Sequence, residues 1–145
     1  MDNNNKYTKW VVIACIYAVL LLIRAGMIFY KINNDFYKAF NYALKNSKVS
    51  ISEHDFTIKQ DKKNRMVNYS VNVDKELPYN TIKDAFGEYL KNNPDSCLND
   101  NYKITIAFNR EKHRDDFVTV CEIRNFDLDW NLHDLYVIFY EDGDY

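Results

Sequence analysis

The dominant pattern in the chain is a long apolar run near its N-terminus. Residues 10–23 carry no charge, and after Arg24 the apolar character continues through residues 25–30. In an α-helix these 21 residues would span about 30 Å, the thickness of the hydrocarbon core of a bilayer. The run is apolar on all sides, which favours a membrane span over a core helix. We therefore predict a short tail over residues 1–9 and a transmembrane helix over residues 10–31.

Two other interpretations of this segment stay open. Residues 12–15 end in Cys15 and resemble a lipobox, although only about five apolar residues precede that cysteine, where a leader has about 7–15. A cleaved signal peptide would need small residues at its cleavage site, and residues 23–25 fit that requirement poorly. We expect an uncleaved signal anchor in the cell membrane.

Charges in and around the run bear on partners and orientation. Arg24 lies six residues before the end of the run at Tyr30, close enough for its guanidinium to snorkel to the nearer interface. The alternative is a contact between Arg24 and an acidic residue of another membrane helix. Lys6 and Lys9 precede the run, and the positive-inside rule then favours an N-terminus in the cytosol and a C-terminal domain outside. Basic residues beyond the run oppose this orientation weakly.

Two helices are predicted beyond the anchor. Apolar residues at four-residue spacing, Phe36, Phe40 and Leu44, predict a helix that ends near residue 46 and can continue directly from the anchor. A second helical stripe covers residues 79–92, where Asn80 or Thr81 is expected to cap the N-terminus. Thr81 and Asp84 approximate a capping box, and Asn93 is expected to end the helix in the left-handed conformation.

Strand-like alternation fills the rest of the chain. It predicts five strands, near residues 56–58, 66–73, 102–109, 117–124 and 134–141. The order α-β-β-α-β-β-β indicates an α+β domain over residues 32–145, with two or three layers and a mainly antiparallel five-stranded sheet. The last two strands are apolar on both faces. We therefore expect one face to be covered by the 79–92 helix and the other by the 34–46 helix or a partner protein.

Composition narrows the function classes. The chain has 3 glycines among 145 residues and contains no phosphate-binding, dinucleotide or nucleophile-elbow motif. Residues 32–145 carry 15 basic and 20 acidic side chains, so the domain gains nothing from counterion release at nucleic acid or anionic lipid. We predict no cofactor and no nucleic-acid partner. The expected partners are the membrane and either an envelope protein or a second copy of the chain.

Candidate chemistry is limited to a few residues. In an extracellular domain Cys97 and Cys121 could form a disulfide, worth about 3–4 kcal/mol from loop closure. The alternative is two unpaired thiols, with Cys121 acting as a small core residue. The three histidines, His54, His113 and His133, lack the spacing of a metal site.

Residues 127–131 resemble the start of a calcium loop, but they lack two of its essential residues. Leu132 stands where a glycine is needed, and Ile138 stands where a bidentate glutamate is needed. A polar connection before the last strand is the favoured interpretation.

The leading functional hypothesis is a non-catalytic accessory or binding module of a bacterial envelope. A bacterial source is inferred from the Asn-, Lys-, Ile- and Tyr-rich composition. Two alternatives are an enzyme of unrecognised type, using Cys97 or the 127–134 region, and a cytosol-facing regulatory or self-protection protein.

Overall fold

A computed structural model describes residues 3–52, 56–61, 63–100, 102–113 and 116–141. It confirms the α+β class and the predicted order of elements. The described elements are α1 (Asn3–Asn46), β1 (Phe56–Asp61), β2 (Met66–Asn72), α2 (Tyr79–Asn92), a 3-10 turn (Cys97–Asn99), β3 (Lys103–His113), β4 (Asp116–Phe126) and β5 (Leu132–Phe139).

The predicted anchor and the first helix of the domain form a single helix, α1, of 44 residues. It is long and apolar enough to span a membrane. Nearly all its side chains from Tyr7 to Lys31 are exposed, whereas Ile32, Phe36 and Phe40 are buried in the domain. The helix therefore enters the core of the domain one residue after the predicted transmembrane segment ends.

The sheet has the order β1-β2-β3-β4-β5. Neighbouring strands are antiparallel except β2 and β3, which run parallel because α2 crosses over between them. The prediction of a mainly antiparallel five-stranded sheet is confirmed.

Both helices pack on the same face of this sheet. Phe36 of α1 stacks on Tyr69 of β2, and Tyr79 of α2 packs against Phe108 of β3. Tyr69 and Phe108 belong to the inward-facing rows of β2 and β3, which also hold the fully buried residues Val67, Val71, Ile104 and Ile106. Cys121 and Ile123 of β4 are fully buried as well. The hydrophobic core therefore lies in one layer between the helices and the sheet.

The second face of the last two strands was expected to be covered by the 34–46 helix or by a partner protein, and the first of these alternatives is wrong. Five strands at about 4.8 Å spacing make a sheet about 20 Å wide, which accommodates two helices side by side at about 10 Å. α1 lies over β1 to β3, while α2 also contacts β4 and β5. The domain has two layers, and within the described residues the second face of the sheet has no helix on it.

The start of α2 also differs from the prediction. The helix begins at Tyr79, preceded by Pro78, and in the described structure no side chain caps it. Burial of Tyr79 against Phe108 draws this residue into the first turn and displaces the expected cap at Asn80 or Thr81. At the other end Asn93 has φ −125°, so it does not adopt the left-handed conformation.

The last three strands begin or end outside their predicted limits. β3 continues to His113 and β4 begins at Asp116, so the two strands extend into the charged stretch that separates the predicted strands. β5 ends at Phe139, two residues earlier than predicted. Charged side chains are tolerated at these ends of β3 and β4 because the ends extend into solvent beyond the core.

Candidate functional site: the open face of the sheet

The face of the sheet opposite α1 and α2 is termed the open face. Its residues alternate with the core residues along each strand, and its central part carries Thr57, Lys59, Asn68, Ser70, Thr105, Ala107, Glu122 and Arg124. On β5 the alternation adds Tyr136 and Ile138, which pair with Arg124 and Glu122. A shallow cleft of about 340 Å³ crosses the middle of this face.

A closed hydrogen-bonded network joins β4 to β5 on the open face. The Arg124 guanidinium forms an ion pair with Glu122 and donates a hydrogen bond from Nη2 to the Tyr140 hydroxyl at 2.9 Å. The Tyr140 hydroxyl in turn donates to Glu122 Oε2 at 2.9 Å. Arg124 and Glu122 are only 19% and 14% exposed, so the three side chains support one another in fixed positions.

A second network crosses from β2 to β4 at the other end of the face. The Asn109 amide donates to Ser70 Oγ and accepts from Thr119 Oγ1, the latter at 2.9 Å. A β-bulge creates this arrangement, because Val120 is an extra residue between the Phe108–Cys121 and Asn109–Thr119 pairs. The bulge brings polar side chains of three strands together.

A further bulge lies on β5 opposite Asn125: three residues of β5 separate Leu132 from Tyr136, whereas Asn125 alone separates Arg124 from Phe126. The Asn125 carboxamide accepts from the Ile104 amide at 2.6 Å and donates to the Tyr102 carbonyl at 2.7 Å. This side chain therefore takes the place of backbone hydrogen bonds between β4 and the start of β3. Phe126 follows Asn125 and stacks on Trp130 at 5.2 Å between ring centroids. Lys103 Nζ lies 4.9 Å from the centroid of the Trp130 ring, within cation–π range.

The connection between β4 and β5 is a tight turn closed by hydrogen bonds of Asp127. The Trp130 amide donates to the Asp127 carbonyl, and the Asp127 carboxylate accepts from the Asn131 amide at 2.9 Å. His133 Nε2 lies 2.8 Å from Asp127 Oδ2. Hydrogen bonds from His133 and Asn131 lower the pKa of Asp127 to about 2. The carboxylate is thus used to close the turn.

His133 has one carboxylate neighbour, Asp127, which is too few ligands for a metal site. Among the described residues, no three His, Cys, Asp or Glu side chains lie close enough together to hold a metal ion. His113 is exposed at the end of β3. His54 lies outside the described residues.

The two cysteines of the domain have separate surroundings. Cys97, in the 3-10 turn, donates its backbone amide to Asp35 of α1, whereas Cys121 lies in β4 opposite Phe108. Both are buried free thiols in the described structure, which does not contain the candidate disulfide. Burial raises the pKa of each thiol to about 12, with Asp35 contributing at Cys97. A cysteine nucleophile requires the opposite shift.

Arg24 lies on the exposed surface of α1, eight residues before the first buried side chain, Ile32. Its suggested contact with another membrane helix stays a prediction. The two networks of the open face were not predicted from the sequence, although one signal was available. Glu122 and Arg124 are two residues apart in a strand interpreted as apolar, and this spacing places both charges on one face.

Comparisons of the chain with protein-family models, with curated proteins and with solved structures find no match. The open face combines polar side chains with two hydrogen-bonded networks. Its ion pair is internally neutralised, its side chains are held by hydrogen bonds, and its clefts are shallow and open.

Proposed function

We propose that this protein is a single-pass, non-catalytic binding module of a bacterial cell envelope, with its N-terminus in the cytosol and its domain outside. The open face would bind another envelope protein. One observation carries the proposal: both helices lie on one side of the sheet, and the other side presents two preformed hydrogen-bonded networks.

The chemistry of the open face supports a protein partner. Tyr and Arg are enriched at protein interfaces, and here Tyr140 and Arg124 are already fixed by Glu122. Side chains that are fixed before binding lose little conformational entropy when a partner arrives. The charges of Arg124 and Glu122 cancel, so the contact would depend on shape and hydrogen bonding more than on long-range attraction.

The size of the face indicates a modest interface. Four strand spacings of about 4.8 Å and eight residues at about 3.3 Å give a flat area of about 500 Å². A standard interface buries about 800 Å² on each partner. The open face alone would therefore support a weak or regulated contact, and further contacts through Arg24 in the membrane would add to it.

Membrane anchoring is supported by the first part of α1. This part is apolar apart from Arg24, nearly all its side chains are exposed, and basic residues precede it. Since α1 continues into the core, the open face is held close to the bilayer, where another envelope protein would meet it.

Site-specific photo-crosslinking in intact cells tests the binding face. A photoreactive amino acid at Ala107, in the middle of the open face, is expected to give one adduct of defined mass. The same probe at Glu88, on the surface of α2 away from the open face, is the matched control and should give none. Thr57→Arg adds a bulky charge to the exposed edge of the face and should abolish the adduct. Equal adducts at both positions, or none at Ala107, would contradict the proposal.

Orientation is tested by fusing two reporters to the C-terminus, one active only outside the membrane and one active only in the cytosol. The proposal requires activity of the outside reporter alone. Activity of the cytosolic reporter alone would reject an outward domain and favour the regulatory or self-protection alternative.

A further inference from the structure

One end of the sheet lies next to the predicted membrane segment. Gln60 of β1 donates a hydrogen bond to Asn33 Oδ1 of α1 at 3.1 Å, and the Cys97 amide donates to Asp35 at 2.9 Å. Asn33 and Asp35 follow Tyr30, the end of the apolar run, by about 4.5 and 7.5 Å along the helix. The headgroup region of a bilayer is about 5–7 Å thick on each side. This end of the sheet is therefore at headgroup level.

Strand register places the β4–β5 turn at the same end. Asp61 at the end of β1 pairs with Met66, and Met66 pairs with Lys103 at the start of β3. Because β4 is antiparallel to β3, the last residues of β4 return to this end, where Phe126 pairs with Leu132. Residues 127–131 thus face the same way as the membrane-proximal end of α1.

The turn at this end exposes two large apolar side chains between polar ones. Leu128 is 88% exposed, more than any other large hydrophobic side chain of the described residues, and Trp130 is 51% exposed. The turn is held by the hydrogen bonds of Asp127 and by the left-handed backbone of Trp130 at φ 65°. Trp is favoured at the headgroup level of membranes, and an exposed Leu gains free energy by entering the acyl boundary.

We propose that the β4–β5 turn is a second membrane contact, in which Leu128 and Trp130 enter the interface of the bilayer that α1 spans. This inference rests on the proposed anchoring by α1. Asp127 and Asp129 flank Leu128, whereas Lys103 lies over Trp130. This end of the sheet therefore carries both acidic and basic side chains. The contact would depend on the apolar boundary of a zwitterionic bilayer and not on attraction to anionic lipid.

A small lean of the domain is enough to make this contact. α1 lies over β1 to β3, so the turn between β4 and β5 is displaced sideways by about 10–14 Å, two to three strand spacings. Transmembrane helices tilt by about 20° on average, which lowers a point at that distance by about 3–5 Å. The contacts made by α1 and by the turn would then fix the direction in which the open face points.

Depth-dependent quenching of tryptophan fluorescence tests this contact. The full chain is placed in phosphatidylcholine vesicles whose acyl chains are either brominated or unmodified. Trp10→Phe leaves Trp130 as the reporter of the turn. Trp130→Phe leaves Trp10 as the reporter of the anchor. A third protein combines both replacements with Phe117→Trp, which places a distal probe at the far end of β4, about 30 Å from Phe126 along the strand.

We expect bromine to remove about half of the Trp130 emission, as for a residue at the interface, and to leave the distal probe unquenched. Leu128→Asp should reduce the quenching of Trp130 toward the value of the distal probe. The inference is overturned if Trp130 is quenched no more than the distal probe while Trp10 is quenched. Loss of quenching at Trp10 as well would instead reject the anchoring by α1, so the two failures are distinguishable.

Discussion

The hydroxyl of Tyr69 provides a direct test of the packing around α1. Tyr69 is 1% exposed in the middle of β2, under the ring of Phe36, and within the described structure its hydroxyl has no hydrogen-bond partner. A buried hydroxyl without a partner costs about 1–3 kcal/mol. Removing it leaves a void of roughly 10 Å³, which costs only about 0.2 kcal/mol. Tyr69→Phe is therefore expected to stabilise the domain by about 1–2 kcal/mol.

Tyr140→Phe is the matched control because it removes the same atom from a satisfied site. That hydroxyl accepts from Arg124 and donates to Glu122, and losing hydrogen bonds to charged groups costs about 1.5–3 kcal/mol. Thermal unfolding of the full chain in detergent micelles, followed by the fluorescence of Trp130, measures both effects. We expect Tm to rise by about 4–8 °C for Tyr69→Phe and to fall for Tyr140→Phe. A fall for Tyr69→Phe, or shifts of the same sign, would refute this account of the core.

Two further predictions concern the contact between α1 and the 3-10 turn and the state of the thiols. Asp35→Ala should lower the free energy of unfolding at pH 7 by about 1–3 kcal/mol, because the Cys97 amide loses its acceptor. Burial acts to raise the pKa of Asp35, but hydrogen bonds from Cys97 and Ser96 lower it overall. The ionised carboxylate therefore stabilises the fold at pH values above its ordinary pKa of 3.8. The difference in stability between Asp35→Ala and wild type should shrink as the pH falls below that value. Cys97 and Cys121 should resist a maleimide at pH 8 in the folded protein, since both thiols are buried with a pKa raised to about 12. Both should react after unfolding without reductant, whereas two unreactive cysteines at that stage would indicate a disulfide.

The elements of the domain were predictable where a local pattern specifies them. The four-residue spacing of Phe36 and Phe40 correctly identified the part of α1 that enters the core, and the alternation through Val67, Tyr69 and Val71 identified β2. These patterns come from side chains that are close in sequence and share a face. Their spacing does not specify which side of a sheet a helix will occupy, so the positions of α1 and α2 on one face were not predictable.

The open face was not predictable because it depends on long-range register. The bulge at Val120 places Asn109 opposite Thr119, and the Asn125 side chain is held by the Ile104 amide. In each case the partner lies in a different strand, and a shift of one residue would turn the side chain to the other face. The sequence predicted a strand over residues 117–124, but it did not show that Glu122 and Arg124 would contact Tyr140.

The continuity of α1 limits how a second copy of the chain could serve as the partner. β5 is an edge strand of the sheet, and two copies could in principle pair edge to edge through it. Antiparallel pairing of identical edges needs a two-fold axis perpendicular to the sheet, and α1 packs flat on that sheet. Such an axis would reverse the direction of α1, so the two anchors could not enter the same membrane. Packing of two open faces about an axis parallel to α1 keeps both anchors aligned. With α1 anchored as proposed, a homo-oligomer is therefore expected to use the open face and not the β5 edge.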